Sequence, residues 1–275
     1  MAVLLSLAAA LAYGLSDFVG GLASRRTSAW PVAFVGAVAA FLGAVVLALV
    51  GDGSPTRDDL LWGALAGVGS GAGGAFLYRG LAAGRMGVVA PISAVGAALV
   101  PVCVGVATGE RPEVLVWLGI LAAVPGIWLV SREPGGSGDF ADGVLDGVLA
   151  GLGFGLLFAA MGQVPEDAGF VPLAVAQGVA VVGVALTAAA LGGRWVPYDA
   201  SQAWGALAGL LATAAALAFL LATQTGLLTV ASVVTSLYPA VTIALAALVL
   251  RERIHASQGV GLVLCGVAVG LVAAA

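Results

Sequence analysis

Asp17 and Tyr13 stand four residues apart in an otherwise apolar run, MAVLLSLAAALAYGLSDFVGGLASRR, so on a helix their side chains share one face. A carboxylate at membrane depth costs on the order of 2.5–3.5 kcal/mol on insertion scales unless it is paired or wetted, which makes Asp17 a functional candidate. Arg79, beside Tyr78 near the end of another apolar run, falls at similar depth, and the expectation is that Asp17 and Arg79 pair inside a helical bundle. In the competing arrangement Arg79 snorkels to the headgroups and Asp17 faces water at a cavity mouth. A paired or wetted Asp17 has two uses. It can take up and release a proton, coupling the movement of a substrate to a proton gradient, or it can fix one helix against another.

A second set of polar groups follows helical spacing. Ser232, Thr235, Ser236, Pro239 and Thr242 recur every three or four residues with Tyr238 beside them, drawing a hydroxyl stripe along an apolar run. Pro239 frees a backbone carbonyl in the middle of that run, which is tolerated where a cavity or a neighbouring helix satisfies it. Pro91, Ser93 and Pro101 give a thinner version upstream, and Gln177 and Gln224 add amide groups. Taken singly, each hydroxyl bonds back to its own helix; taken as a stripe on a proline-broken helix, they line a cavity. The candidate cavity residues are Tyr13, Asp17, Arg79, Ser93, Gln177, Thr235, Ser236 and Tyr238, with Pro91, Pro101 and Pro239 as candidate helix breaks. There is no phosphate-binding glycine loop, no HExxH and no Cys/His cluster, and the one histidine, His255, lies in a loop. The sequence therefore supplies no catalytic set, metal site or cofactor site, and it argues against ATP-driven transport by this chain and against metal-dependent hydrolysis.

The elements that position these groups are membrane spans. Of 275 residues, 61% are hydrophobic and 9% charged, where a soluble domain carries about a quarter charged residues. Apolar runs of spanning length cover roughly residues 2–23, 30–50, 60–82, 86–108 and 113–131, then 143–163, 170–192, 203–224, 228–250 and 256–274. The first run lacks a basic leader and a cleavage site and reads as a span. REPGGSGDFADG, residues 132–143, reads as the linker between two halves of five spans. The expected organisation is a first repeat over 1–131, a linker over 132–142 and a second repeat over 143–275. Cys103 and Cys265 each lie inside an apolar run and read as unpaired thiols. A formal charge of −4 from sparse loop groups points to no nucleic-acid partner.

The halves echo each other. At an offset of 142 residues Gly84 falls on Gly226, Glu110 on Glu252, Arg111 on Arg253 and Gly119 on Gly261, and at nearly the same offset Tyr13-Gly14-Leu15 matches Phe154-Gly155-Leu156. Because five is odd, the second copy enters the membrane from the opposite side, giving an all-α fold of ten helices in two inverted repeats. The Glu-Arg turns read as interfacial anchors. Span three, with Gly67/Gly71, Gly69/Gly73 and Ser70/Gly74 as small-xxx-small pairs, is expected in the packed interior. If the N-terminal face is face A, eight arginines lie toward face B and only Arg57 and Arg111 toward face A, which places face B in the cytoplasm and both termini outside.

These segments resemble the EamA-type proteins of the drug/metabolite transporter (DMT) superfamily. The resemblance rests on AYGLSDFVGG, FLYRGLAAGRMGVVAPISA, TGERPEVLVWLGILAAVPGIWLV and SLYPAVTIALAALVLRERIHASQGVGLVLCGVAVGLV, which together cover most of the chain. It implies a central cavity lined by spans one, three, four, six, eight and nine, and export or exchange of small metabolites such as amino acids. It also implies cytoplasmic termini, against the arginine count. The first half departs from the pattern, with Gly96 and Ala97 where the second has Tyr238 and Pro239. The function expected is secondary active transport of a small polar metabolite across the cytoplasmic membrane by alternating access, with a proton as the coupling partner. The rival is a non-transporting scaffold or passive pore in which Asp17 and Arg79 are structural.

Overall fold

In a computed structural model, which describes residues 1–82, 86–131, 140–251 and 254–275, the chain forms ten membrane-length apolar helices and, among the described residues, no strand. In chain order these are α1 (Ala2–Arg26), α2 (Ala29–Val50), α3 (Arg57–Ala82), α4 (Met86–Ala107), α5 (Val114–Ser131), α6 (Phe140–Met161), α7 (Val171–Ala190) and α8 (Trp204–Thr225), then a ninth span in two pieces, α9 (Leu228–Thr235) and α10 (Tyr238–Val249), and finally α11 (Ala256–Ala273). The expected linker falls largely on residues outside those described, as do Gly84, Arg85 and the Glu252-Arg253 turn.

Proline breaks only one span. Pro239 has no N–H to give to the Thr235 carbonyl, so α9 ends at Thr235 and α10 restarts at Tyr238 with the proline in its first turn. Pro91 and Pro101, expected as breaks, lie inside a continuous α4, and Pro125 lies inside α5. Neighbouring helices hold these spans straight enough that a missing hydrogen bond does not interrupt them.

The two halves pack as an inverted pair. α3 lies on α6 and α7, and correspondingly α8 lies on α1 and α2. α4 lies on α6 as α9 and α10 lie on α1, while α2 meets α7, α4 meets α9 and α5 meets α11 across the pseudo-axis. The contacts repeat residue by residue. A Cβ on Gly119 would lie 2.6 Å from Val272, and one on Gly261, its counterpart 142 residues on, 2.7 Å from Val130, the counterpart of Val272.

With no hydrophobic drive between helices in lipid, close approach decides which helices associate, and glycine permits it. Span three, expected in the packed interior, instead packs on one side only: two glycine rows meet α6 and α7, while Leu61, Leu65 and Val68 are exposed on the other. A Cβ on Gly69 would meet the Gly153 carbonyl oxygen at 2.6 Å on α6, whereas Gly67 and Gly71 face Val179 and Gly183 on α7. Across the pseudo-axis, Gly209 of α8 sits against the Gly36 backbone of α2.

The bundle is closed at face A. A core of Phe158, Met161, Leu173, Phe219, Leu220 and Leu228 joins the face-A halves of α6, α7, α8 and α9. All eight residues of α9 are buried, whereas none of the twelve in α10 is, so packing loosens from the break toward face B.

Gly209→Leu is expected to cost about 1–3 kcal/mol, the range for overpacking, as a lowered unfolding midpoint in detergent. Gly270→Ala, where a Cβ meets nothing within 4 Å, is expected to leave the midpoint unchanged or slightly raised.

Candidate functional site

Tyr13 lies near the middle of α1, and Tyr238 is the first residue after the break in span nine, so both reach the bundle centre at mid-depth. Their rings are 6.1 Å apart, centroid to centroid, tilted by 56°. Tyr13 also meets Phe158 edge-on at 6.1 Å, and Phe158 packs on Phe219 at 4.7 Å. Phe158 and Phe219 are almost fully buried and belong to the face-A core. The result is an aromatic floor, closed below and continuous with the core.

Asp17 stands one helical turn beyond Tyr13, toward face B. The orientation of α1 follows from its neighbours: Ser16 Oγ donates to the Ala208 carbonyl of α8 at 2.8 Å, and Gly14 abuts Val241 of α10. Residue 17 projects between those two directions, into the gap between α8 and α10. The lipid face of α1 is marked by Leu4, Leu11 and Leu15, all exposed, and Asp17 projects roughly 160° away from Leu15. Asp17 is nevertheless exposed, and its charge acts on both Tyr13 and Tyr238. Exposure on the inward face means that α1, α8 and α10 leave an opening there. Among the described residues the Asp17 carboxylate accepts no hydrogen bond and forms no ion pair.

The expected Asp17–Arg79 pair is not formed. Arg79 Nε donates to Asp146 Oδ1 of α6 at 2.7 Å, and its guanidinium lies 4.8 Å from the centroid of the Phe76 ring. Asp146 is 2% exposed and Arg79 47%, so the pair reaches from the interior to the face-B surface. The reason lies in the packing: α3 associates with α6 through Gly69 and Gly73, which brings position 146 and not position 17 beside Arg79. Asp146 lies inside the expected sixth span, 143–163, yet was not among the candidate residues.

The hydroxyl stripe is buried as far as the break, at Ser232, Thr235 and Ser236, and half-buried at Thr242 beyond it. Ser93 Oγ donates to the Ala90 carbonyl, Ser232 Oγ to Thr229 and Thr235 Oγ1 to Ser6 of α1 at 3.5 Å. Thr242 Oγ1 reaches the Gly14 carbonyl at 3.3 Å. Thr235 and Ser236 are fully buried, and Ser236 Oγ has no hydrogen-bond partner among the described residues. The stripe thus ties span nine to α1. Gln177 is half-buried on α7, which packs on α2 and α3, away from the tyrosines, and Gln224 donates to the Pro165 carbonyl at face A.

Glu110 does more than anchor a turn. Its two carboxylate oxygens accept from the backbone N–H groups of Leu228 and Thr229, the latter at 2.9 Å, so it caps α9 from the other repeat. The first N–H groups of a helix lack partners and carry the positive end of its dipole, and a carboxylate satisfies both. Arg111 meanwhile donates to the carbonyls of Val106 and Glu110 at the end of α4. One Glu-Arg turn therefore closes the end of its own helix and the start of the opposite repeat's broken span. Among the described residues no group of three or more His, Cys, Asp or Glu is placed to hold a metal ion.

The family model described as the EamA-like transporter family matches residues 1–132 and again residues 142–274. A solved crystal structure superposes at a TM-score of 0.72 with 19% identity, over 98% of this chain and 95% of its own, a likeness of fold. No curated protein matches the chain.

Arg79→Ala is expected to destabilise by on the order of 3 kcal/mol in detergent unfolding, because it takes the guanidinium away from a buried carboxylate. The double variant Arg79→Leu/Asp146→Leu, which places leucine where the repeat counterparts Leu221 and Leu5 already carry it, should recover most of that loss. Glu110→Ala is expected to cost about 1–2 kcal/mol and to raise amide exchange selectively over residues 228–231, measured by hydrogen–deuterium exchange.

Proposed function

The chain belongs to the EamA-like transporter family, a family of membrane transporters, and we propose that it works as a secondary active transporter that exports or exchanges a small polar metabolite across the cytoplasmic membrane by alternating access. The observation that carries this reading is a carboxylate exposed toward the interior of an inverted repeat, above an aromatic floor, in a bundle sealed at one face. Inverted repeats place their substrate near the bilayer midplane, between halves that rock against each other. Tyr13 and Tyr238 stand at that depth.

In this reading the face-A seal is one end of the cycle. The α9 cap by Glu110 and the hydroxyl contacts of α9 with α1 hold it shut, and rocking transfers the opening to the other face. Ser93, Thr235 and Ser236, buried here, come within reach of the cavity when α9 moves. Ser236, without a partner in the closed seal, gains one there. Asp17 is the group that binds a coupling proton: a carboxylate facing a wetted gap can be charged in one half-cycle and neutral in the other.

Counterflow in proteoliposomes tests the carrier itself: labelled phenylalanine or phenethylamine outside should accumulate when the same compound is loaded inside, whereas a pore gives no trans-stimulation and a scaffold gives no flux. With an imposed proton gradient, Asp17→Asn should abolish gradient-driven accumulation. Accumulation by Asp17→Asn that still follows the pH gradient would exclude Asp17 from coupling.

A further inference from the structure

The transporter reading leaves the chemistry of the substrate open, and the site narrows it. Asp17 is a carboxylate within the spanning depth with no hydrogen bond or ion pair among the described residues, projecting into the gap between α8 and α10. The arginine nearest to it in expectation, Arg79, is spent on Asp146. Among the described residues no other cation lies within salt-bridge distance of Asp17. Among the described residues the gap therefore presents one formal negative charge. Beside it are π-systems: Tyr13 and Tyr238 at 6.1 Å from each other, with Phe158 and Phe219 below them.

We propose, resting on the transporter reading, that this site takes an organic monocation, an ammonium nitrogen carried on a small apolar body, with the nitrogen at Asp17 and the body against the Tyr13 and Tyr238 rings. The argument is one of complementary cost. A carboxylate at membrane depth without an ion partner gains more from a cation than from a neutral ligand, and an anion is repelled. The faces of Tyr13 and Tyr238 attract the same charge through their quadrupoles. The tyrosine rings, backed by the buried Phe158 and Phe219, suit hydrocarbon, and among the described residues no cation stands there for a carboxylate on the ligand. A zwitterion gains Asp17 and loses its own acid group among those rings, so it binds less well than the amine that lacks the acid.

An isosteric series reads this out on the full chain in detergent by titration calorimetry: phenethylamine as the monocation, phenylalanine as the zwitterion and 3-phenylpropionate as the anion. Phenethylamine should bind about tenfold or more tightly than either of the others. Asp17→Asn should lose that preference by about tenfold, Asp17→Glu should keep it, and Tyr238→Leu should weaken phenethylamine severalfold, each with an unfolding midpoint matching the unsubstituted protein. Equal or tighter binding of phenylalanine or phenylpropionate overturns the proposal, as does phenethylamine binding that Asp17→Asn leaves intact, or no phenethylamine binding by folded protein. Counterflow separates the two readings. Trans-stimulated phenylalanine uptake without phenethylamine uptake sinks the cation class and leaves a transporter, whereas phenethylamine binding without counterflow of any member leaves a cation site and removes the transporter.

Discussion

Whether one repeat meets the other through bare backbone or through a side chain governs the shape of this bundle. In lipid the helices gain nothing from leaving solvent, so association follows from how closely two backbones approach. The register of the inter-repeat contacts is the same in both copies: Gly14 of α1 sits on Val241, and Gly155 of α6 on Val100, each pair 141 residues from its counterpart. The copies diverge at the next turn. In the first repeat Gly96 lets α6 come down on α4, a Cβ there lying 2.7 Å from Gly151. In the second, Tyr238 occupies the corresponding position and Pro239 follows it, so a ring and a helix break stand where the other interface has backbone on backbone. The α4–α6 contact is closed and the α1–α10 contact is propped, and the opening at Asp17 lies on the propped side.

Breaking a span inside a membrane creates a debt of hydrogen bonds, because no water is available for freed N–H and C=O groups. Span nine shortens that problem by distributing it. α9 is eight residues long, fully buried, and its first N–H groups are taken by Glu110 of the opposite repeat. The hydroxyls of Thr235 and Thr242 are spent on carbonyls of α1, on either side of the break. The half-helix is thus held at one end by the first repeat's turn and along its length by the first repeat's first helix. Any motion that opens face A must release both at once, which makes the face-A seal a cooperative element and not a row of independent contacts.

The number of spans and their inversion were legible because length, hydropathy and the 142-residue echo each act locally, and the glycine rows of the third span were legible as packing surfaces although the span keeps one side exposed. The convergence of Tyr13 and Tyr238 was legible only as two separate candidates. The partner of Arg79 was not legible. Depth along a helix is set by sequence position, but which helices are neighbours is set by the glycine contacts of α3 with α6, and depth alone made Asp17 and Asp146 equivalent choices. Phe158 and Phe219 were invisible for a related reason: a phenylalanine in an apolar span carries no signal until its neighbour is known. Glu110 was noticed as half of a repeated turn, yet its ligands lie 118 and 119 residues away, beyond any local pattern.

The two membrane carboxylates show how one chain handles the same cost in opposite ways. Asp146 is 2% exposed and is neutralised on the spot by Arg79, an arrangement in which breaking the pair costs more than forming it gained. Asp17 has no ion partner among the described residues and is placed against an opening. Each has an apolar residue at its counterpart in the other repeat, Leu5 for Asp146 and Phe158 for Asp17. The pseudo-symmetry of the backbone is therefore not shared by the charge. An inverted repeat with a symmetric charge would carry two equivalent carboxylates, one on each interface. Here Asp17, a carboxylate within the spans that has no ion partner among the described residues, stands on α1, while its counterpart Phe158 on α6 is buried in the face-A core, so the charge belongs to one repeat alone.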